Sequence, residues 1–430
     1  MHPAPHETEH LVIIGNGMAG HRLVEALLKR PDRPARITVI GDEATPAYNR
    51  ILLSPWLAGE MERQALTLRE AEWYAEQGIE LVLGERVTSI DRAARRLTTD
   101  AGRALDYQRL VLATGSRPAM PAVPGITLSG VHGFRDLEDA ETLARIAERG
   151  GRVVVIGGGL LGLEAAEGMR KRGARISVLQ RSARLMNRQL DATAATLLEA
   201  ELGRRGLAIH TGAQLAAIEG DHHGRVAGVR LADGQRLAAH CVVVAAGITP
   251  NVELGREADL ATQHAIVVDD HLTTSDPAIH ALGECCQFEG TTYGLVEPIW
   301  RQVEVLAEHL AANPAESARY EERPSATKLK VSGISLFAFG PTEADAGHDV
   351  LAYHDPEQGD YRRLLLRDGR LEGAVLYGDT AMGPWLFSQA QAGSDLAACR
   401  RALLLGTADA DALLDAHHSD NPDRPAKEAA

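Results

Sequence analysis

Cysteine is scarce in this chain. Its 430 residues include four, Cys241, Cys285, Cys286 and Cys399, at no C-x-x-C spacing and in no regular framework, which argues against a disulfide scaffold or a zinc ribbon. Aromatic residues make up 4%, so the core has to be built from Val, Leu, Ile and Ala, which favours α/β architecture over an aromatic-rich sandwich. No window approaches the ~18 to 20 apolar residues of a membrane span, and the polar stretch Met1–His10 has no apolar signal core. Basic residues are in deficit. The balance of 45 Lys and Arg against 59 Asp and Glu gives −14, which opposes binding to nucleic acid or to an anionic membrane surface. We expect no metal site, the 17 histidines, including His222-His223 in a hairpin turn, sitting mainly on solvated surface. A reduced, cytoplasmic setting is expected.

What is there is ordinary globular composition, 45% apolar and 24% charged, with 42 glycines. The length suits about three domains. The apolar run Leu11 to Ile14 feeds Gly15-Asn16-Gly17-Met18-Ala19-Gly20, after which Leu23, Val24, Leu27 and Leu28 recur at helical spacing. The same order returns 142 positions on: Val153 to Ile156, then Gly157-Gly158-Gly159-Leu160-Leu161-Gly162, then a helix closed by Gly173. Each unit has a later echo. Leu110 to Ala113 runs into Thr114-Gly115-Ser116-Arg117-Pro118, and Val242 to Ala246 runs into Gly247-Ile248-Thr249-Pro250. The matched exits predict a duplicated nucleotide-binding fold.

The chemistry of a G-x-G-x-x-G turn is backbone geometry. The first glycine permits the turn, the second admits a pyrophosphate, and the third lets helix pack on strand. The helix N-terminus then meets the phosphates with free N–H groups and a positive dipole end. A carboxylate for a ribose 2′-OH belongs about 20 residues on. In the first unit the strand Ile37 to Ile40 leads to Asp42; in the second, Ile176 to Leu179 leads to Gln180, Arg181 and Arg184. Without a carboxylate there, the two arginines are candidates for a 2′-phosphate, or else form a solvated basic loop.

Residues 315–325 turn polar and suit a linker. Beyond them Lys328 to Phe339, Tyr361 to Leu366 and Leu371 to Tyr377 read as strands, the last two joined through Asp368-Gly369, a hairpin signal. The expected organisation is α/β, with two Rossmann-like dinucleotide-binding domains, the second inserted in the first, and a small α+β C-terminal domain. The boundaries are 1–118 with 243–320, then 119–242, then 321–416, and a disordered tail over 417–430.

These motifs, with Glu164 after Gly162 and Thr273-Thr274-Ser275-x-Pro277 leading to Gly283-Glu284, resemble the two-dinucleotide-binding-domain flavoprotein reductases over roughly residues 10 to 320. Within that group, Ala47 to Ser54, Leu185-Met186 with Gln189-Leu190-Asp191, Tyr293 to Val296 with Pro298, and Thr327 to Gly333 are similar to one family. It is the flavin part of assimilatory nitrite reductase large subunits and the related electron-transfer subunit of assimilatory nitrate reductase.

The resemblance implies FAD and NAD(P)H as cofactors. Gly15, Gly17, Gly20 and Asp42 would hold the FAD adenosine diphosphate, with Arg50 and Ser54 near the flavin, Thr114 and Gly115 in the exit loop, and Glu284 after Gly283 on the ribityl chain. Pro298 would open a helix facing the flavin O2 edge. Gly157, Gly159 and Gly162 would hold the nicotinamide dinucleotide, Gln180, Arg181 and Arg184 would meet its ribose, and Glu164 would face its carboxamide. Glu164 and Arg50 are the candidates for a catalytic role. Where related ferredoxin-type reductases often carry a lysine after the Leu-Ser pair, this chain has Pro55.

The implied activity is electron transfer from NAD(P)H through FAD to a separate acceptor, a nitrate or nitrite reductase subunit. The alternatives are a rubredoxin or ferredoxin reductase and a non-catalytic flavoprotein redox sensor. With no cysteine cluster for an iron-sulfur centre, the acceptor is expected on another protein or a small molecule. No cysteine precedes position 241, so a thiol relay near the first helix is not expected. Cys285 and Cys286 are expected to be small buried residues rather than a redox pair.

Overall fold

The computed structural model describes residues 9–311, 317–331 and 333–406, with positions 410 and 413. The tail expected over 417–430 lies outside the described residues, as do two positions of the 315–325 linker. The chain divides into two compact units. The first comprises Met1–Pro121, Gly133–Ala144 and Ala246–Arg323; the second comprises Ala122–His132, Arg145–Ala245 and Pro324–Ala430.

The first unit is built on a five-stranded parallel sheet in the order Ile279–Ala281, Arg109–Leu112, His10–Ile14, Arg36–Gly41, Glu80–Leu83. The strand His10–Ile14 is buried along its whole length, as expected for a parallel strand covered on both faces. Its neighbours are the next strand in sequence on one side and, on the other, the strand Arg109–Leu112 from far along the chain. The connection reverses direction there, and such a switch point is where open α/β sheets bind ligands. The helix Met18–Leu28 buries Leu23, Val24 and Leu27 against the sheet, and the helix Val296–Ala311 lies against it.

Part of the polar stretch after this helix does not behave as a solvated linker. Tyr320 is 2% exposed, with its ring edge-on to Phe288 and Tyr293.

The second unit repeats the plan. Its parallel sheet runs Ala208–Thr211, Arg175–Gln180, Arg152–Ile156, Cys241–Val244, Val131–His132, with Arg152–Ile156 at the same kind of switch point. A five-stranded antiparallel sheet follows, in the order Thr327–Val331, Ile334–Phe339, Arg370–Tyr377, Asp360–Arg367, Asp349–Asp355. The helix Gly383–Ala392 packs on it. The hairpin between Asp360–Arg367 and Arg370–Tyr377 turns on Asp368 at φ 50° and Gly369 at φ 76°, the left-handed pair a two-residue turn demands. Together these elements are the α/β fold with duplicated Rossmann-like sheets and an α+β C-terminal portion that the sequence leads one to expect.

Candidate functional site

The two glycine turns are the same object built twice. Gly15 and Gly157, the first of each set, have φ of 115° and 122°, closed to most side chains. A Cβ on Gly20 would stand 2.0 Å from the Gly15 carbonyl oxygen, and one on Gly162 would stand 2.0 Å from that of Gly157. Around the middle glycines, Gly17 and Gly159, a Cβ would meet nothing within 4 Å. The third glycine is therefore needed for packing, and the space over the second is open at the helix start. Gly17 and Gly159 are also the N-caps of helices Met18–Leu28 and Leu160–Lys171, with no side-chain cap. Open space beside uncapped N–H groups fits a dinucleotide pyrophosphate in both units.

In the first unit the two acidic residues after strand Arg36–Gly41 divide their work. Glu43 is used inside the protein: it accepts from the Tyr48 hydroxyl at 2.7 Å and pairs with the Arg50 guanidinium. Burial pushes the Tyr48 phenol well above its ordinary range, so it stays a donor. Asp42 pairs with the exposed Arg86 at 3.3 Å, and its side chain is 56% exposed. It remains open to a ribose hydroxyl. Arg50, in the short turn Arg50–Leu52, also donates to the Arg135 carbonyl at 3.1 Å, while Ser54 is buried in the helix Leu53–Leu57.

The exit loops lock one another. Thr114 Oγ1 donates to the Asn251 carbonyl at 3.1 Å, and Asn251 Nδ2 donates to the Thr114 carbonyl at 2.8 Å. Asn251 N–H closes on the Gly115 carbonyl, and Ser116–Pro118 pairs antiparallel with Ile248–Pro250. Gly283, at φ 84°, is fixed by Gln302 Oε1, which accepts its N–H at 2.8 Å from the helix Val296–Ala311. Glu284 beside it accepts from Ser116 Oγ at 2.9 Å and pairs with Arg135. Pro298 stands third in its helix, inside the first turn rather than at the opening position.

Arg135 escaped the sequence reading. It also donates through Nε to the Ser116 carbonyl at 3.2 Å, and its backbone N–H goes to Asp139 Oδ2 at 2.8 Å. Burial, then repulsion from Asp136, raises the Asp139 carboxyl to about 6. A signal was present. Asp136 caps the following helix by accepting from Asp139 N–H at 2.8 Å, so Arg135 is held at a fixed helix entrance.

The cysteines are buried. All four are outside any disulfide and 0% exposed. Cys285 donates to the Leu112 and Leu282 carbonyls at 3.3 Å, and burial raises both adjacent thiols while pushing Cys241 up to about 12. A thiolate nucleophile is disfavoured at each. Among the described residues no group of His, Cys, Asp or Glu is arranged to hold a metal ion.

In the second unit Glu164 lies half-buried on helix Leu160–Lys171, two positions past Gly162. Gln180, 9% exposed at its strand end, accepts from Gly158 N–H at 3.0 Å and donates to the Arg184 carbonyl and Asn187 Oδ1, each at 3.3 Å. Its amide is thus engaged in shaping the turn. Arg181 is exposed, whereas Arg184 reaches Glu343 at 2.5 Å.

Residues 9–307 match the family described as pyridine nucleotide-disulphide oxidoreductase, and residues 324–391 match the rubredoxin NAD+ reductase C-terminal domain. The chain is 40% identical over 388 residues to the Bacillus subtilis nitrite reductase [NAD(P)H], covering 90% of this chain and 48% of that one. It is 40% identical over 372 residues to the assimilatory nitrate reductase electron transfer subunit of the same organism, covering 86% and 48%. The chain thus spans about half the length of the curated relatives it matches. The crystal structure of the covalent putidaredoxin reductase–putidaredoxin complex aligns with a TM-score of 0.83 at 28% identity, over 95% of this chain and 98% of that one. No described helix is long and apolar enough to cross a membrane. The chain belongs to the pyridine nucleotide-disulphide oxidoreductase family.

Proposed function

We propose that the chain carries electrons from NAD(P)H through FAD to a separate acceptor, an assimilatory nitrate or nitrite reductase subunit. FAD belongs to the first unit and the nicotinamide dinucleotide to the second. The observation that carries this is the asymmetry between two otherwise equal glycine turns. Among the described residues the first has an exposed carboxylate after its second strand, Asp42, together with Gly283-Glu284 at its switch point, whereas the second has Gln180 there. The 40% identity to an assimilatory nitrate reductase electron transfer subunit supports the choice of acceptor.

Held by these residues, FAD would supply the exchange between a two-electron hydride donor, the reduced nicotinamide, and a one-electron acceptor. The chain's own residues bind and orient. Gly17 and Gly159 leave room for the pyrophosphates, and Asp42 accepts from the adenosine ribose. Glu284, held by Ser116 and Arg135, accepts from the ribityl hydroxyls. Arg50 stays charged and fixed between Glu43 and the Arg135 carbonyl near the flavin end. The N–H groups in the first turn of helix Val296–Ala311, around Pro298, would stabilise negative charge on the flavin. Glu164 orients the carboxamide. A reducing, cytoplasmic setting is part of the same reading, supported by four cysteines that form no disulfide.

Reconstitution with a nitrate or nitrite reductase catalytic subunit tests the acceptor. NAD(P)H-dependent turnover is expected. Coupling to rubredoxin alone favours the second reading, a rubredoxin or ferredoxin reductase, for which the match of residues 324–391 to the rubredoxin NAD+ reductase C-terminal domain speaks.

A further inference from the structure

Arg184 is one of the two arginines that the sequence offers to a 2′-phosphate, and its guanidinium is already engaged. Nη2 pairs with Glu343 at 2.5 Å, a residue 159 positions later on the loop after strand Ile334–Phe339. Nε is buried and has no hydrogen-bond partner among the described residues. The fork is thus half used.

Neither partner is placed by chance. The loop bearing Arg184 is strapped to the glycine turn: Met186 N–H donates to the Gly158 carbonyl at 2.9 Å, and Gln180 binds both the Gly158 N–H and the Arg184 carbonyl. A Cβ on Gly158 would stand 2.5 Å from Leu185, so the turn and the loop are in contact there. The loop bearing Glu343 is tied down independently. Arg363 donates to the Thr342 carbonyl at 2.7 Å and to Asp191 Oδ2 at 3.3 Å, and Tyr361 donates to the same Asp191 oxygen at 2.5 Å. Asp191 is buried and caps the helix Ala192–Arg204, which closes the Arg184 loop. Two clamped loops therefore hold the Glu343 carboxylate against Arg184, whose own loop is strapped to the glycine turn.

We propose that Glu343 is a specificity-determining residue for the nicotinamide coenzyme, competing with the 2′-phosphate of NADP(H) for Arg184. This rests on the reading of the second unit as the dinucleotide site. A 2′-phosphate has to displace Glu343 or accept its repulsion, whereas a 2′-hydroxyl leaves the pair intact. The strand end lacks the usual excluding carboxylate, and the C-terminal portion supplies one from a distant part of the chain.

The test measures binding of adenosine 2′,5′-bisphosphate and of AMP to the full-length holoprotein at one fixed ionic strength, reading the ratio of the two affinities. Glu343→Gln raises that ratio about 3- to 10-fold, the span of an exposed to partly buried ion pair. Arg184→Ala lowers it, and in the Arg184→Ala background most of the gain from Glu343→Gln disappears. If Arg184→Ala lowers the ratio while Glu343→Gln leaves it unmoved, Glu343 is a bystander and the proposal falls, with the dinucleotide site intact. If neither change moves it, Arg184 does not face the 2′-phosphate, and the proposal falls together with that assignment.

Discussion

Arg135 and Glu284, 149 positions apart, form an ion pair at the switch point of the first unit, with side chains only 21% and 14% exposed. The pair fixes the carboxylate assigned to the ribityl chain and closes a chain of contacts from Arg50 through the Arg135 carbonyl. It also leaves Glu284 dependent on its partner, because a half-buried carboxylate without its guanidinium keeps the desolvation cost and loses the attraction.

Replacing Arg135 by alanine is therefore expected to weaken FAD retention and lower the melting temperature together. Arg135→Lys restores part of both, since an ammonium supplies the charge without the fork that also holds the Ser116 carbonyl. FAD dissociation followed by flavin fluorescence, with thermal unfolding alongside, checks this. Unchanged retention in Arg135→Ala assigns the pair to structure alone.

Asp42→Ala removes an exposed carboxylate paired with the exposed Arg86, so folding stability should barely change. FAD affinity should fall by about 1.5–3 kcal/mol, the worth of a charge-assisted hydrogen bond. Glu43→Gln should act differently, loosening Arg50 and Tyr48 and lowering stability. Titration of apoprotein with FAD, beside a melting curve, separates the two.

The two glycine turns were legible because each glycine is enforced locally, Gly15 by its φ and Gly20 by the carbonyl oxygen a Cβ would strike. The Asp368-Gly369 hairpin was legible for the same reason. Arg135 and Glu343 were not, since each acquires its partner only when strands distant in sequence come together. Tyr320 misled in the opposite direction. Its polar neighbours read as linker, while its ring found Phe288 and Tyr293. The division between Asp42 and Glu43 depended on where Tyr48 and Arg50 turned, which spacing does not encode.

The four cysteines can be tested together. Alanine at all four positions should cost stability through small cavities but leave flavin reduction by NAD(P)H intact, because all four are buried and burial raises the thiols of Cys241, Cys285 and Cys286. Stopped-flow flavin bleaching and ferricyanide reduction report it. Loss of bleaching with FAD still bound returns Cys285 and Cys286 to the chemistry.

Asp139 gives a pH signature. Its carboxyl is raised to about 6 in the folded state from an ordinary 3.8, so its contribution favours folding most below about 4 and is lost as pH rises through 6. Asp139→Asn should match the parent at pH 4 and exceed it at pH 7 and above by about 1–2 kcal/mol, after allowance for partial solvent screening. Denaturant unfolding at the two pH values decides. A constant difference across that range means the carboxyl titrates normally.

The most direct test of the whole account is anaerobic titration of the purified protein with NADH and with NADPH while the flavin spectrum is recorded. The account predicts one non-covalent FAD per chain, bleached by one equivalent of reduced nicotinamide and reoxidised in single-electron steps by an added acceptor. A chain that holds no FAD, or two, or whose bound FAD neither coenzyme reduces, contradicts it.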